Sequence, residues 1–350
     1  MRLAILSFAH VHAEGYIHNL RAIPDADVIG FADDDPERGH HFADLYGLDF
    51  FDSYEDLIAE RPDGVIICSE NVRHLPLIQM AAEAGVHVLS EKPLATTLED
   101  AQAILDACAR AGVHLMTAFP MRFSAPILEV YRLITSGQLG HIIGANTTNQ
   151  GKLPRYHTVY PRAWFEDRTL AGGGAVVDHT VHLSDLLRWF LGEVDEVFAY
   201  GVRGLVEPRY PADKEDDFVI SLKYRSGAIA RILGGFDMIH PPSLWGEHFH
   251  GVGIGLYGTK ASLLNDRIVR EYYPDGKPVE ERITPSADRL THSGEVIGFL
   301  RHFEECLLND ERPLVDVRDG AQIVAICSAC WDSVHSGLPV KVTREFDRST

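Results

Sequence analysis

Over about its first 120 residues the chain alternates short apolar runs with segments whose apolar residues recur at helical spacing. The runs cover residues 3–6, 28–32, 64–68, 87–89 and 114–117, and the helical segments include 36–46, 75–84 and 98–110. Strands that are apolar along their whole length must be covered on both faces, and the intervening helices supply that cover. The expectation is an α/β doubly wound domain on a parallel sheet. Gly85 and Gly112 follow two of the helical segments, where a C-cap glycine belongs.

After Phe123 the pattern changes. A helix is expected over 125–135 and a strand over 142–150, followed by one long helix over 174–191. Strand-like runs then follow at 196–200, 218–224, 228–233, 252–257 and 268–273, with Arg225-Ser226-Gly227 as a hairpin turn. Helices over 295–309 and 319–336 close the chain. Strands joined by turns imply a mostly antiparallel sheet, so the second unit reads as α+β. The expected division is 1–121 and 122–350. There are no repeats and no low-complexity linker, so the two units should share a close interface.

Charge and composition restrict the partners. Lysine and arginine number 32 against 51 acids, a net charge of −19, which disfavours nucleic acid and anionic membrane. A small neutral or polar metabolite suits such a surface. No apolar stretch approaches the roughly 20 residues that span a bilayer, and the opening apolar run is too short for a signal peptide. Cysteines 68, 108, 306, 327 and 330 form no disulfide framework. Cys327-Ser328-Ala329-Cys330 has a redox-like spacing, but it falls in 322–334, which reads as a buried helix with cysteine as a small hydrophobe. A reducing cytoplasm is the expected setting.

The first strand runs into Ser7-Phe8-Ala9-His10-Val11-His12 and then a helix, the place where a dinucleotide fold puts its G-x-G-x-x-G turn. The three glycine positions hold Ser7, Ala9 and His12. Asp33 ends the second strand about 20 residues on, where an acid binds the adenine-ribose hydroxyls and disfavours a 2′-phosphate. The alternative is a solvated loop, Asp33-Asp34-Asp35-Pro36, that only caps the next helix.

Two further segments carry candidate chemistry. Glu91-Lys92-Pro93 follows a parallel strand directly, so Lys92 should project into the ligand crevice, and the proline bond could be cis. Gly172-Gly173-Gly174 opens a segment in which Asp178, His182 and Asp185 stand four and three apart, on one helical face. Such a stripe is costly to bury, and aspartate with histidine suits general acid–base chemistry. The other reading is a polar exposed face, although Val177, Val181 and Leu186 flank it closely.

These pieces resemble the glucose–fructose oxidoreductase, inositol dehydrogenase and MocA family over essentially the whole chain. The matching stretches are Asp33-Asp34-Asp35-Pro36-Glu37-Arg38, Arg73-His74, residues 85–93, Arg122-Phe123, residues 172–192 and the tail at 319–340. The glycine-rich turn departs from the family pattern. The resemblance implies a Rossmann doubly wound parallel sheet followed by an α+β domain with a large open, mostly antiparallel sheet. It implies catalysis by Lys92, Asp178 and His182, with NAD more expected than NADP. Cofactor contacts are expected from Phe8, Ala9, His10, Val11, Asp33, Ser69, Glu70, Asn71, His74, Glu91, Lys92 and Arg122. Substrate contacts are expected from Lys152, Tyr156, His157, Trp164 and His179, with Arg122 near them. His248 and His250, two apart, would share one strand face that looks into the pocket, or else onto solvent or an oligomer interface.

The expected reaction is hydride transfer between a secondary alcohol of a sugar, polyol or related molecule and nicotinamide. His182 would take the hydroxyl proton, Lys92 would stabilise the oxygen, and Asp178 would hold either. Three other readings stay open: transient oxidation serving elimination or glycosidic cleavage; a metal site among the histidines, for which no zinc signature is present; and a non-catalytic nucleotide-binding regulator. By family analogy the open sheet would form a homodimer or homotetramer.

Overall fold

The computed structural model describes residues 1–150, 163–203, 215–235, 253–265, 267–270, 279–282 and 292–347. Its first unit runs β1 (Arg2–Leu6), α1 (His12–Leu20), β2 (Asp27–Ala32), α2 (Pro36–Tyr46), β3 (Phe50–Phe51), α3 (Tyr54–Ala59), β4 (Gly64–Ile67), α4 (His74–Glu83), β5 (His87–Ser90), α5 (Leu98–Ala111) and β6 (Leu115–Thr117). The strands lie in the order β3-β2-β1-β4-β5-β6, all parallel. The order therefore reverses between β1 and β4, which opens a crevice at the carboxyl ends of the strands there.

Local chemistry places the helix ends. Asp35 caps α2 by accepting from the Glu37 and Arg38 amides, Pro36 begins the helix, and left-handed Gly47 ends it. Thr97 and left-handed Gly112 do the same for α5. The core beneath β1 centres on Phe8, whose ring lies 4.6 Å from Phe31 and 4.7 Å from Phe42.

A short 3-10 turn at Pro120–Phe123 leads to α6 (Ala125–Thr135), β7 (Ile142–Gln150), α7 (Arg168–Ala171), α8 (Ala175–Asp178) and α9 (Thr180–Leu191). There follow β8 (Val194–Arg203), β9 (Glu215–Tyr224), β10 (Ile229–Gly235), β11 (Gly253–Gly258), β12 (Ala261–Leu264), β13 (Arg267–Arg270) and β14 (Val279–Arg282). The chain closes with α10 (His292–Asn309), α11 (Val317–Ser336) and β15 (Val340–Lys341). Among the described residues the second sheet has the order β14-β13-β12-β11-β7-β10-β9-β8-β15. Every pair is antiparallel except β7–β10. The helices α8, α9 and α11 cover one face, and the other exposes Ile143, Tyr200, Val202 and Ile229.

Two expectations need correction. The single helix expected over 174–191 is broken at His179 into α8 and α9. The break is tied to the second sheet: the His179 carbonyl accepts from Asn149 Nδ2 (3.1 Å), and its Nδ1 meets the Gly235 carbonyl (3.1 Å). Arg122, expected at the cofactor or substrate, is instead fully buried in an ion-pair network. Its Nε and Nη2 lie 2.8 and 2.5 Å from the two Asp185 oxygens, its Nη1 lies 3.6 Å from Asp319, and Trp189 stacks on it at 5.2 Å. Arg188 completes the network through Asp319 and Glu193, both at 2.6 Å. Asp185 therefore leaves the stripe it was expected to share with Asp178 and His182.

The five cysteines are buried and free, and Cys327 and Cys330 lie within α11 as expected. Burial pushes the Cys327 thiol up to about 12. Among the described residues no helix is long and apolar enough to cross a membrane.

The buried network joins the 120–123 turn, α9 and α11, so removing one partner strands a charge away from water. Asp185→Ala should cost about 3–5 kcal/mol of stability in chemical denaturation, whereas Asp185→Leu combined with Arg122→Met should cost far less. Equal losses in the two variants would contradict this account.

Candidate active site

The end of β5 delivers Glu91 and Lys92 to the crevice, and the Lys92–Pro93 bond is cis. His74, expected as a cofactor contact, is buried beneath this loop with Nδ1 2.9 Å from the Pro93 carbonyl, so it supports the turn. From the other side the triple glycine approaches. Gly172 has φ +78°, and a Cβ there would stand 2.4 Å from Thr96 Cγ2. Only glycine allows that contact without displacing the segment that follows Pro93. The close packing brings Asp178 Oδ1 to 2.6 Å from Lys92 Nζ, which also reaches the Asp178 carbonyl at 3.3 Å.

Electrostatics divides the roles. Burial works to raise the Asp178 carboxyl, but Lys92 and then His179 hold it well below the usual carboxylate range. Asp178 is thus the anion that compensates the buried lysine. Burial, reinforced by Lys92, pushes His182 well below the ordinary imidazole value, so its ring is neutral near pH 7. His182 Nδ1 is buried with no hydrogen-bond partner among the described residues. A neutral ring with an unused nitrogen beside a lysine–aspartate pair can take a proton from a hydroxyl group. His179 stands 3.5 Å from Asp178 Oδ2 through Nε2, so it touches the trio's acid rather than standing apart.

The β1–α1 turn keeps the conformation of a glycine-rich loop without the glycines. Ser7 sits at φ +72°, in the left-handed region that glycine favours. Its hydroxyl accepts from the Ala9 amide (3.1 Å) and lies 3.3 Å from Asp33 Oδ2, bonds that glycine could not make. Asp33 is buried and heavily engaged. It accepts from the amides of Phe8 (2.7 Å) and Asp35 (2.9 Å) and from Arg38 Nε and Nη2. Arg38 did not figure among the expected site residues, although its position five after Asp33 at the start of α2 places it within reach. Its Nη1 also lies 3.8 Å from Glu70. Ser69 hydrogen-bonds the Glu70 carbonyl, and Asn71 Nδ2 donates to the Ala171 carbonyl (2.8 Å).

Trp164, expected at the substrate, packs onto the β1–α1 turn instead. Its Nε1 donates to the Ala9 carbonyl (2.9 Å), and it stacks on Phe165 beside Val11 and Ala171.

The surprise is a cluster around Glu91. This fully buried carboxylate meets His12 Nδ1 (2.9 Å), the Tyr16 hydroxyl (2.5 Å), the Lys92 amide (3.1 Å) and, at 3.9 Å, His10 Nε2. Burial would raise its pKa, yet His12 and then His10 hold it well below the usual range. The signal for Tyr16 was its spacing, four residues after His12 on α1. His10, His12 and Glu91 present ligand atoms within 4.8 Å of one another, as a metal site would. His10 Nδ1, however, accepts from the His12 amide (3.2 Å), so the neutral ring carries its proton on Nε2, facing Glu91. A proton, not a lone pair, faces the place where a cation would sit.

The residues at the strand ends fit a dinucleotide. The crevice lies at the topological switch point, an acid ends β2, and Asn71 Oδ1 and His182 Nδ1 are buried there without partners among the described residues. Lys152, Tyr156, His157, His248 and His250 lie outside the described residues.

Comparison with known proteins agrees with this geometry. Residues 7–119 match the model of the oxidoreductase family with an NAD-binding Rossmann fold, and residues 127–264 match the GFO/IDH/MocA C-terminal domain. The chain is 28% identical to D-xylose 1-dehydrogenase (NADP(+)) 2 of Haloferax volcanii, over 98% of this chain and 100% of that one. It is 26% identical to scyllo-inositol 2-dehydrogenase (NAD(+)) of Bacillus subtilis, over 98% and 96%. The fold superposes on levoglucosan dehydrogenase in complex with NADH and L-sorbose with a TM-score of 0.85 at 19% identity, covering 98% and 99%. The chain belongs to the glucose–fructose oxidoreductase, inositol dehydrogenase and MocA family of NAD-binding oxidoreductases.

Proposed function

We propose that the chain interconverts a secondary alcohol and a ketone on a sugar or polyol, with Lys92, Asp178 and His182 as the catalytic residues. The observation that carries this reading is the buried, partnerless nitrogen of a neutral His182 beside the Lys92–Asp178 pair. His182 takes the hydroxyl proton when the alcohol is oxidised and returns it in reduction. Lys92 hydrogen-bonds the reacting oxygen and stabilises its developing negative charge. Asp178 fixes the ammonium group and compensates its charge. When bound, nicotinamide supplies the hydride acceptor. The substrate class is supported by the relatives, which are named for xylose and scyllo-inositol.

NAD rather than NADP is supported by Asp33 at the end of β2, where an acid accepts from the adenine-ribose hydroxyls, while Arg38 and Arg73 pair with Asp33 and Asp34 and offset their charge. A homodimer or homotetramer built through the open face of the second sheet is supported by the exposed Ile143, Tyr200, Val202 and Ile229. The five buried free thiols support a reducing, cytoplasmic setting.

Assay of a sugar and polyol panel with NAD and with NADP tests the reading, and turnover with NAD on at least one polyol is expected. His182→Ala should lower kcat by roughly 10²–10⁴ while folding is retained; a kcat within about threefold of the parent would remove His182 from the chemistry. The pH profile gives a separate check. Because burial and Lys92 depress the His182 pKa, the base is lost only as pH falls below the ordinary imidazole value. The acid limb of kcat/KM should therefore lie below about pH 6.5, and a limb above that value would contradict the assignment. Light scattering should show a dimer or larger species that Tyr200→Glu with Ile229→Glu converts to monomer; a monomeric parent would refute assembly through the sheet.

A further inference from the structure

Rossmann turns ordinarily hold a pyrophosphate with backbone amides at a helix N-terminus. Here most of those amides are already spent, the Val11 amide excepted. The Ser7 amide bonds the Ala32 carbonyl, Phe8 bonds Asp33, Ala9 bonds the Ser7 hydroxyl, and His10 bonds the Cys68 carbonyl. The His12 amide bonds His10 Nδ1, and the Ala13 amide bonds the His10 carbonyl. His10 thus acts as the acceptor at the start of α1, where an anion's oxygen would otherwise accept. Its ring is buried against Trp164 and Phe165.

His12 differs from its neighbours. It occupies the third glycine position and begins α1, and its side chain is 39% exposed at the crevice. Nδ1 is turned onto the buried Glu91, which accepts from it at 2.9 Å and so fixes a proton there. Nε2 has no partner among the described residues. Lys92 cannot serve Glu91 with its ammonium group, because Nζ is directed to Asp178. The ring is thus braced on a buried anion, at a helix N-terminus, with one nitrogen still to be used.

We propose that the His12 imidazole, braced by Glu91, binds the pyrophosphate of the dinucleotide beside the Val11 amide, in place of the other amides that a glycine-rich turn offers. This rests on the oxidoreductase reading above. With a carboxylate on Nδ1 and a phosphate oxygen on Nε2, the ring stands between two anions. The histidine at a glycine position then becomes the feature that replaces the lost donors.

Calorimetry on the full chain with NAD and with ADP-ribose, which carries the pyrophosphate without nicotinamide, tests this. His12→Gly rebuilds the third glycine, and His12→Gln keeps a donor for Glu91 but lacks the second ring nitrogen that faces the crevice. Both variants should bind both ligands about ten- to a hundredfold more weakly, the size of a lost charge-assisted hydrogen bond. If His12→Gly proves unstable in a thermal melt, His12→Gln decides. Binding equal to or tighter than the parent's in a folded variant would overturn the proposal and leave the oxidoreductase reading standing. A parent that binds neither ligand would overturn both.

Discussion

The ion pair between Lys92 and Asp178 is the contact on which the rest of the site depends. A lysine buried at the end of β5 and a carboxylate from the second unit meet at 2.6 Å, although 86 residues separate them. Each charge makes the other tolerable away from water, because an uncompensated buried charge costs several kcal/mol. The fold serves that meeting in two ways. β5 fixes the lysine at the mouth of the parallel sheet, and Gly172 lets the incoming segment lie against Thr96. His179 then pins the break between α8 and α9 to β7 and β10, so the acid is held from both the first unit and the second sheet.

Buried charge is handled by the same rule elsewhere, with a different outcome. Arg122, Asp185, Asp319 and Arg188 form a closed network with no residue left over. It joins parts of the chain distant in sequence and leaves nothing for a ligand. At Lys92, Asp178 and His182 and around Glu91 the accounts stay open: a His182 nitrogen and a His12 nitrogen have no protein partner among the described residues. Depth of burial does not separate the two cases, since Arg122 and Lys92 are both buried.

Much of this was legible in the sequence. The rhythm of the first unit predicts its parallel sheet, because a strand apolar on both faces leaves few alternatives. Residues 36–46 and 125–135 form helices with the bounds that their spacing predicts, the first capped by Asp35. Lys92, Asp178 and His182 stand out because lysine after a parallel strand and a polar stripe among valines are both costly to place elsewhere. What was hidden depends on tertiary partners. Helical spacing alone cannot separate Asp185 from Asp178, because Arg122 claims the former from 63 residues away. The same spacing runs through His179 without showing that Asn149 and Gly235 break the helix there. The short strands β3 and β15 carry two residues each, too few for any periodicity. The turn at Ser7–His12 fails the glycine pattern, yet Ser7 keeps the left-handed backbone through bonds of its own hydroxyl.

The central claim is that an alcohol carbon gives its hydrogen, as hydride, directly to nicotinamide in this site. Incubating the chain with NAD and a polyol deuterated at its carbinol carbons, then recovering the reduced cofactor for mass spectrometry, tests it most directly. The account predicts one deuterium carried on the nicotinamide ring, with a slower rate than for the unlabelled polyol when hydride transfer limits turnover. Reduced cofactor without deuterium, or deuterium released to water while product forms, would contradict it.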